Sequence, residues 1–174
     1  MAEQGVTRFE QVVLPHLDDA YTLACYLLRD QHDAQDAVQE SVLRALRYFE
    51  GFRGEDARAW LLAIVRNYCY SWKKGSKSDQ GAVPFADDKA VDIADEHAAD
   101  DLAIQSSESD RVRAAVDRLP AELKEVIVLR ELNELSYREI SEVVGVPMGT
   151  VMSRLSRARE RLAAALGADS RKAS

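Results

Sequence analysis

Apolar residues recur along this chain at intervals of three and four and do not alternate one by one, so the pattern predicts helices and no strands. Phe9, Val12 and Val13 open the series and run into Pro15, which should break or restart a helix. Leu17, Ala20, Tyr21, Ala24, Leu27 and Leu28 then hold one face up to the breaker-like RDQHD. The next face comprises Ala37, Val38, Ser41, Val42, Ala45, Leu46 and Phe49, with Asp33 as the expected N-cap and Gly51 and Gly54 beyond its end. A fourth helix is expected from about Asp56, with Ala57, Trp60, Leu61, Ile64, Val65, Tyr68 and Trp72 turned inward. Its other side would carry Arg58, Arg66, Asn67, Tyr70, Lys73 and Lys74.

The periodicity is lost after Gly75 and returns near Asp110. Val112, Ala115, Val116 and Leu119 predict a helix stopped at Pro120, and Leu123, Val126, Ile127 and Leu132 predict another. Then comes SYREISEVVGVPMGTVMSRLSRARER, from Ser136 to Arg161. Ser136 with Glu139 forms a capping-box pattern, and Ile140, Val143 and Val144 give the short helix behind it one apolar side. Gly145 supplies the positive φ of a tight turn, and Pro147 suits the start of the following helix. On that helix Val151, Leu155, Ala158 and Leu162 face inward, leaving Thr150, Ser153, Arg154, Arg157 and Arg161 on or near the outside. Two short helices joined in this way predict a helix-turn-helix.

Composition narrows the class. With 174 residues, 47% of them hydrophobic, the chain can bury a core. No apolar run approaches a membrane span, and MAEQGVTRFEQ lacks the parts of a signal peptide, so a cytoplasmic protein without membrane insertion is expected. Cys25 and Cys69 fall on or beside helical stripes and read as small buried hydrophobes. His16, His32 and His97 have no metal-ligand spacing, and no catalytic constellation, phosphate loop or small-molecule site stands out. The expectation is no metal, no cofactor and no enzyme.

The formal net charge of −7 argues against nucleic acid until it is located. Residues 76–110 hold ten acids against two bases, whereas residues 111–174 hold nine acids against twelve bases. The acidity belongs to the middle of the chain, and local charge sets the field that a phosphate backbone meets. Residues 75–108 therefore read as a flexible acidic tether. Such a tether should avoid DNA and compete weakly for the basic faces beside it.

Two faces carry candidate chemistry. The hydroxyls and guanidiniums of Thr150, Ser153, Arg154, Arg157 and Arg161 suit phosphates and base edges in a major groove, although a solvated αα-hairpin satisfies the same periodicity. Arg66, Asn67, Tyr70, Lys73 and Lys74 combine charge, an amide and a ring, which suits single-stranded or melting DNA. Trp72 fits either core or base contact, and the lysines could simply complement a helix end.

One lobe for duplex, a tether and a second lobe for separated strands describe a two-point promoter reader. The chain resembles a bacterial RNA polymerase sigma factor of the extracytoplasmic-function (ECF) group, within the sigma-70 family. The resemblance rests on DAQDAVQESVLRAL from Asp33, FRGEDARAWLLAIVRNYCYSWKKG from Phe52 and LPAELKEVIVLRELNELSYREISEVVGVPMGTVMSRLSRARERL from Leu119, in that order. It implies an all-α fold of two small helical domains: a region-two domain over 6–75 and a region-four helix-turn-helix domain over 109–168. Between them lies the linker, 76–108, and a disordered tail follows at 169–174.

The same resemblance implies partners and site residues. Asp36, Gln39, Glu40 and Arg44 would dock on the clamp helices of core RNA polymerase. Arg66, Asn67, Tyr70, Trp72, Lys73 and Lys74 would open and read the minus-ten element. Met148, Thr150, Ser153, Arg154, Arg157 and Arg161 would read the minus-thirty-five element, with the same lobe touching the polymerase flap. Promoter DNA and an anti-sigma factor that clamps both lobes complete the implied partners. CYSWKKG departs from the more usual acidic-aliphatic stretch, which leaves the minus-ten preference open. DAQDAVQES is acidic and amide-rich, unsuited to DNA but able to pair with a basic protein surface. The rival readings are a freestanding helix-turn-helix regulator, for which the Arg66 to Lys74 face would be dispensable, and a sigma-like decoy, which has no use for the arginines near Arg154.

Overall fold

A computed structural model describes residues 2–75 and 107–172. Among them are eight α-helices and two short 3-10 turns, with no strand. The helices are α1 (Ala2–Val13), α2 (Leu17–Leu28), α3 (Gln31–Tyr48), α4 (Ala57–Gly75), α5 (Glu108–Asp117), α6 (Ala121–Glu131), α7 (Tyr137–Val144) and α8 (Met148–Lys172). Of the tether expected over 76–108, residues 76–106 fall outside the described residues, whereas Ser107 and Glu108 already cap and open α5.

Pro15 sits in the first turn of the 3-10 segment Leu14–His16, where its missing N–H costs nothing, and the chain restarts there as α2. Arg29 ends α2 in the left-handed region at φ 61, its N–H returning to the Cys25 carbonyl at 2.9 Å. The cap of α3 corrects the expectation. Asp30, extended at φ −122 and ψ 130, accepts the Asp33 N–H on its side chain at 2.9 Å. Asp33 is thus the capped residue in the first turn, because an N-cap must be extended and must stand ahead of the donor it satisfies. Asp56 begins α4 as expected, accepting from the Ala59 N–H at 2.9 Å.

The buried side of α4 also differs from its predicted stripe. Leu61, Leu62, Val65 and Cys69 are buried, whereas Trp72 is 40% exposed. The helix is covered from two directions, by α2 and α3 on one side and by α7 on another, so a single stripe underestimates what it buries. Burial pushes the Cys69 thiol up to about 12, as befits a core residue. Phe9, Phe49, Phe52 and Trp60 close the end of this lobe, with Phe9 edge-on to Phe49 at 5.3 Å and Phe52 4.7 Å from Trp60.

In the second lobe Ser107 caps α5, accepting from the Asp110 N–H at 3.2 Å. Every residue of α6 from Leu123 to Leu129 is buried, Lys124 and Glu125 included. The capping box at α7 is present in full, with the Glu139 N–H on Ser136 Oγ at 3.1 Å and the Ser136 N–H on Glu139 Oε2 at 2.6 Å. Gly145, at φ 77, turns the chain, and the Pro147 carbonyl receives the Thr150 and Val151 N–H groups at 3.0 and 3.1 Å to start α8. That helix continues through Gly167 to Lys172, so residues 169–172 extend it where a disordered tail was expected. A glycine in the middle of a helix costs about 1 kcal/mol, too little to stop one that is otherwise favourable. Leu46, Val112 and Leu132, read as stripe positions, are exposed.

The two lobes are not held apart. Helix α4 packs on α7 and α2 packs on α6, and the buried apolar residues form one cluster running from Phe9 to Ala158. Among the described residues no helix is long and apolar enough to cross a membrane, and no cluster of His, Cys, Asp and Glu could hold a metal ion.

Candidate nucleic-acid interface

Val151, Leu155 and Ala158 anchor α8 through its buried side. The residues opposite them fall into two groups. Met148, Ser153, Arg157 and Arg161 are exposed and Thr150 is half-buried, with the Ser153 hydroxyl donating to the Thr150 carbonyl at 3.0 Å. Arg154 is turned inward, its side chain 12% exposed, with Nη2 3.5 Å from Glu122 and Nη1 3.9 Å from Glu125. Met152, absent from the predicted set, is 53% exposed between Met148 and Ser153. Its omission is understandable, since an exposed methionine in an apolar-rich helix gives no signal of its own. Arg159 is tied to Glu131 of α6 at 2.8 Å, and that hydrogen bond raises its pKa.

The α4 face assembles around a residue that the sequence reading overlooked. Arg66 donates from Nε to Glu125 Oε2 at 2.7 Å and from Nη2 to Oε1 at 3.2 Å. The Tyr70 hydroxyl donates to the same Oε2 at 3.0 Å, and the Arg66 guanidinium lies 4.7 Å from the centre of the Tyr70 ring. Asn67 accepts from Arg66 Nη1 at 3.3 Å. Burial disfavours the Arg66 charge, but the hydrogen bond and attraction from Glu125 outweigh it and raise the pKa. The Tyr70 hydroxyl is pushed up by burial first and by Glu125 second. Lys73 and Lys74 make the last turn of α4 basic.

Glu125 thus joins Arg66 and Tyr70 of one lobe to Arg154 of the other, on a carboxylate side chain only 1% exposed. Its sequence signal was a lysine and a glutamate, Lys124 and Glu125, inside an otherwise apolar run. Trp72 does not belong to this group. It stacks on Tyr68 at 6.3 Å, and the Tyr68 ring carries the Arg44 guanidinium at 4.8 Å.

The remaining predicted residues lie on α3. Asp36 and Gln39 are exposed, and Arg44 pairs with Glu40 at 3.5 Å. Leu43, half exposed at 50%, shares their surface, which makes it a mixed apolar and charged face of the kind that proteins bind.

Comparison with known proteins agrees with this anatomy. Residues 12–78 match the Sigma-70 region 2 family and residues 109–162 match Sigma-70, region 4. The ECF RNA polymerase sigma-E factor of Haemophilus influenzae is 38% identical over 140 residues, 76% of this chain and 74% of that protein. The ECF RNA polymerase sigma factor SigE of Mycolicibacterium smegmatis is 30% identical over 161 residues, 92% of this chain but 62% of that longer protein. Among solved structures, the sigma factor RpoE in complex with the anti-sigma factor NepR, from Bartonella quintana, superposes with a TM-score of 0.69 at 29% identity, over 93% of this chain and 98% of that one. With both sigma regions in order, and the similarity covering most of its length, this chain belongs to the ECF sigma factors of the sigma-70 family.

Proposed function

We propose that the chain binds core RNA polymerase and directs it to promoters, as a cytoplasmic initiation factor with no catalytic step of its own. The observation that carries this reading is the presence of both sigma regions on one chain, each with a polar surface suited to its task. The α3 surface of Asp36, Gln39, Glu40, Leu43 and Arg44 would meet the polymerase clamp helices. Its charges and amides supply orientation and its leucine supplies apolar area. The second lobe would contact the flap.

On DNA the two lobes would divide the work. Met148, Thr150, Ser153, Arg157 and Arg161 on α8 would enter the major groove at the minus-thirty-five element, guanidiniums to guanine edges or phosphates and methionine to thymine methyl groups. Arg154, held by two glutamates, would orient this helix as well as touch DNA. Arg66, Asn67, Tyr70, Lys73 and Lys74 would track the separated strand at the minus-ten element. Trp72, stacked on Tyr68, would act at the edge of that face. A neighbouring solved sigma factor is bound by an anti-sigma factor, and the same class of inhibitor is proposed here, engaging both lobes.

The test is transcription in vitro from a promoter library by purified core polymerase, with and without the chain. Start sites that appear only when the chain is added are expected, and none appearing would refute the reading. A freestanding regulator would instead bind duplex DNA without polymerase and tolerate loss of the α4 face.

A further inference from the structure

We propose that Met152, one turn after Met148 on α8, reads the methyl group of a thymine in the minus-thirty-five element and so helps set which promoters the chain selects. The proposal deepens the sigma reading of α8 and rests on it. Among the described residues of α8, Met148 and Met152 are the large apolar side chains left in the open, at 47% and 53% exposure. Val151, Leu155 and Ala158 supply the buried side of the helix, so the Met152 thioether is not needed to pack the lobe. One exposed apolar side chain means little, but residues four apart on a helix lie side by side and make a single patch.

The surroundings of that patch point to its occupant. From Met148 to Arg159 the helix carries Arg154, Arg157 and Arg159 and no acid, the first acid being Glu160. Ser153 and Arg157 are exposed beside Met152. This charge, with the positive end of the helix dipole, draws the start of α8 onto a phosphate backbone. In the major groove a helix-turn-helix presents the first turns of its second helix to base edges, and the one methyl group on those edges belongs to thymine. A thioether has no donor and is only a weak acceptor, so against guanine, adenine or cytosine it would cover polar atoms without pairing them. Against a methyl group it loses nothing, and its unbranched chain adjusts to the contact. Gly149, exposed between the two methionines in sequence, has nothing within 4 Å of where a Cβ would stand, so the backbone there is bare and a groove can come close.

Deoxyuridine tests this, because it keeps every pairing atom of thymine and lacks only the methyl group. Core polymerase carrying the wild-type chain should first select, from a promoter library, an element with an A·T pair in its minus-thirty-five segment. In the best-bound duplex each thymine of that segment, on either strand, is then replaced singly by deoxyuridine. At one of these positions the wild-type holoenzyme should bind about fourfold more weakly, the loss expected for one buried methyl group. Met152→Ala, with unchanged helix content by circular dichroism, should bind the thymine and uracil duplexes equally and as weakly as the wild type binds the uracil one. Arg157→Ala should bind both more weakly and keep the preference for thymine. A selected element with no thymine in that segment, no position at which uracil matters, or a uracil effect that survives Met152→Ala would overturn the proposal and leave the sigma reading standing. A holoenzyme that selects no sequence would strike the sigma reading, and this proposal with it.

Discussion

Arg154 and Arg157 stand three residues apart on α8 and meet different surroundings. Arg157 is exposed, while Arg154 lies inward between Glu122 and Glu125. Arg157→Ala should therefore weaken minus-thirty-five binding by about 1–3 kcal/mol and relax specificity at one position if it grips a base edge. Its effect on the melting midpoint should be small. Arg154→Ala should lower that midpoint clearly, since it removes a partner from a buried carboxylate, and thermal denaturation of both variants separates the two roles. At Cys69 burial and a pKa of about 12 keep the thiol protonated at neutral pH. A thiol reagent should label Cys69 in the native chain only after denaturant is added, whereas early labelling would show that the α2–α4 packing opens readily.

Among the elements, α7 depends on its termini. Ser136→Ala removes one half of the capping box and should cost about 1 kcal/mol, read as a shift in the denaturation midpoint. Gly145→Ala has space for its Cβ but must adopt φ 77, so a loss of about 1–2 kcal/mol is expected from backbone strain alone. On α3, Leu43→Asp should weaken association with core polymerase more than Gln39→Ala does, with helix content unchanged. Equal binding by all three proteins would remove α3 from the docking surface. Most of these elements were legible in the sequence because each has a local cause, such as a proline, a cap or a glycine at positive φ. The N-cap of α3 was misread by three residues, since Asp30 and Asp33 carry the same side chain and only backbone geometry distinguishes the cap from the residue it caps.

For the whole molecule the informative group is Glu139, on the lobe interface. Burial works against its charge, but the Ser136 N–H, Asp56 and Arg58 hold its pKa down to about 2. A carboxyl group lowered from about 4.3 stabilises the form that contains it at all pH values above that range. The contribution fades as pH falls from about 4.3 toward about 2, because the proton that Glu139 then takes up weakens its bonds to the Ser136 N–H and to Arg58. The melting midpoint should therefore hold from pH 7 down to about 5 and fall below about 4. In Arg58→Ala the loss should begin at higher pH, and identical acid profiles for the two proteins would exclude a role for Arg58 in holding the Glu139 pKa down.

Sequence alone determined the helices, the turn before α8 and the family, because periodicity, caps and ordered motifs act over a few residues and need no partner. It also separated two basic faces from an acidic middle, since charge along a chain can be counted. What only the tertiary structure decided is where those faces point. Helix α6 is buried on all sides, so its pattern carried no orientation, and Glu125 looked like one charge among many. Packing α4 against the second lobe brought Arg66 and Tyr70 to that carboxylate across more than fifty residues of chain. Such an encounter depends on how two lobes fit together, which no local pattern records.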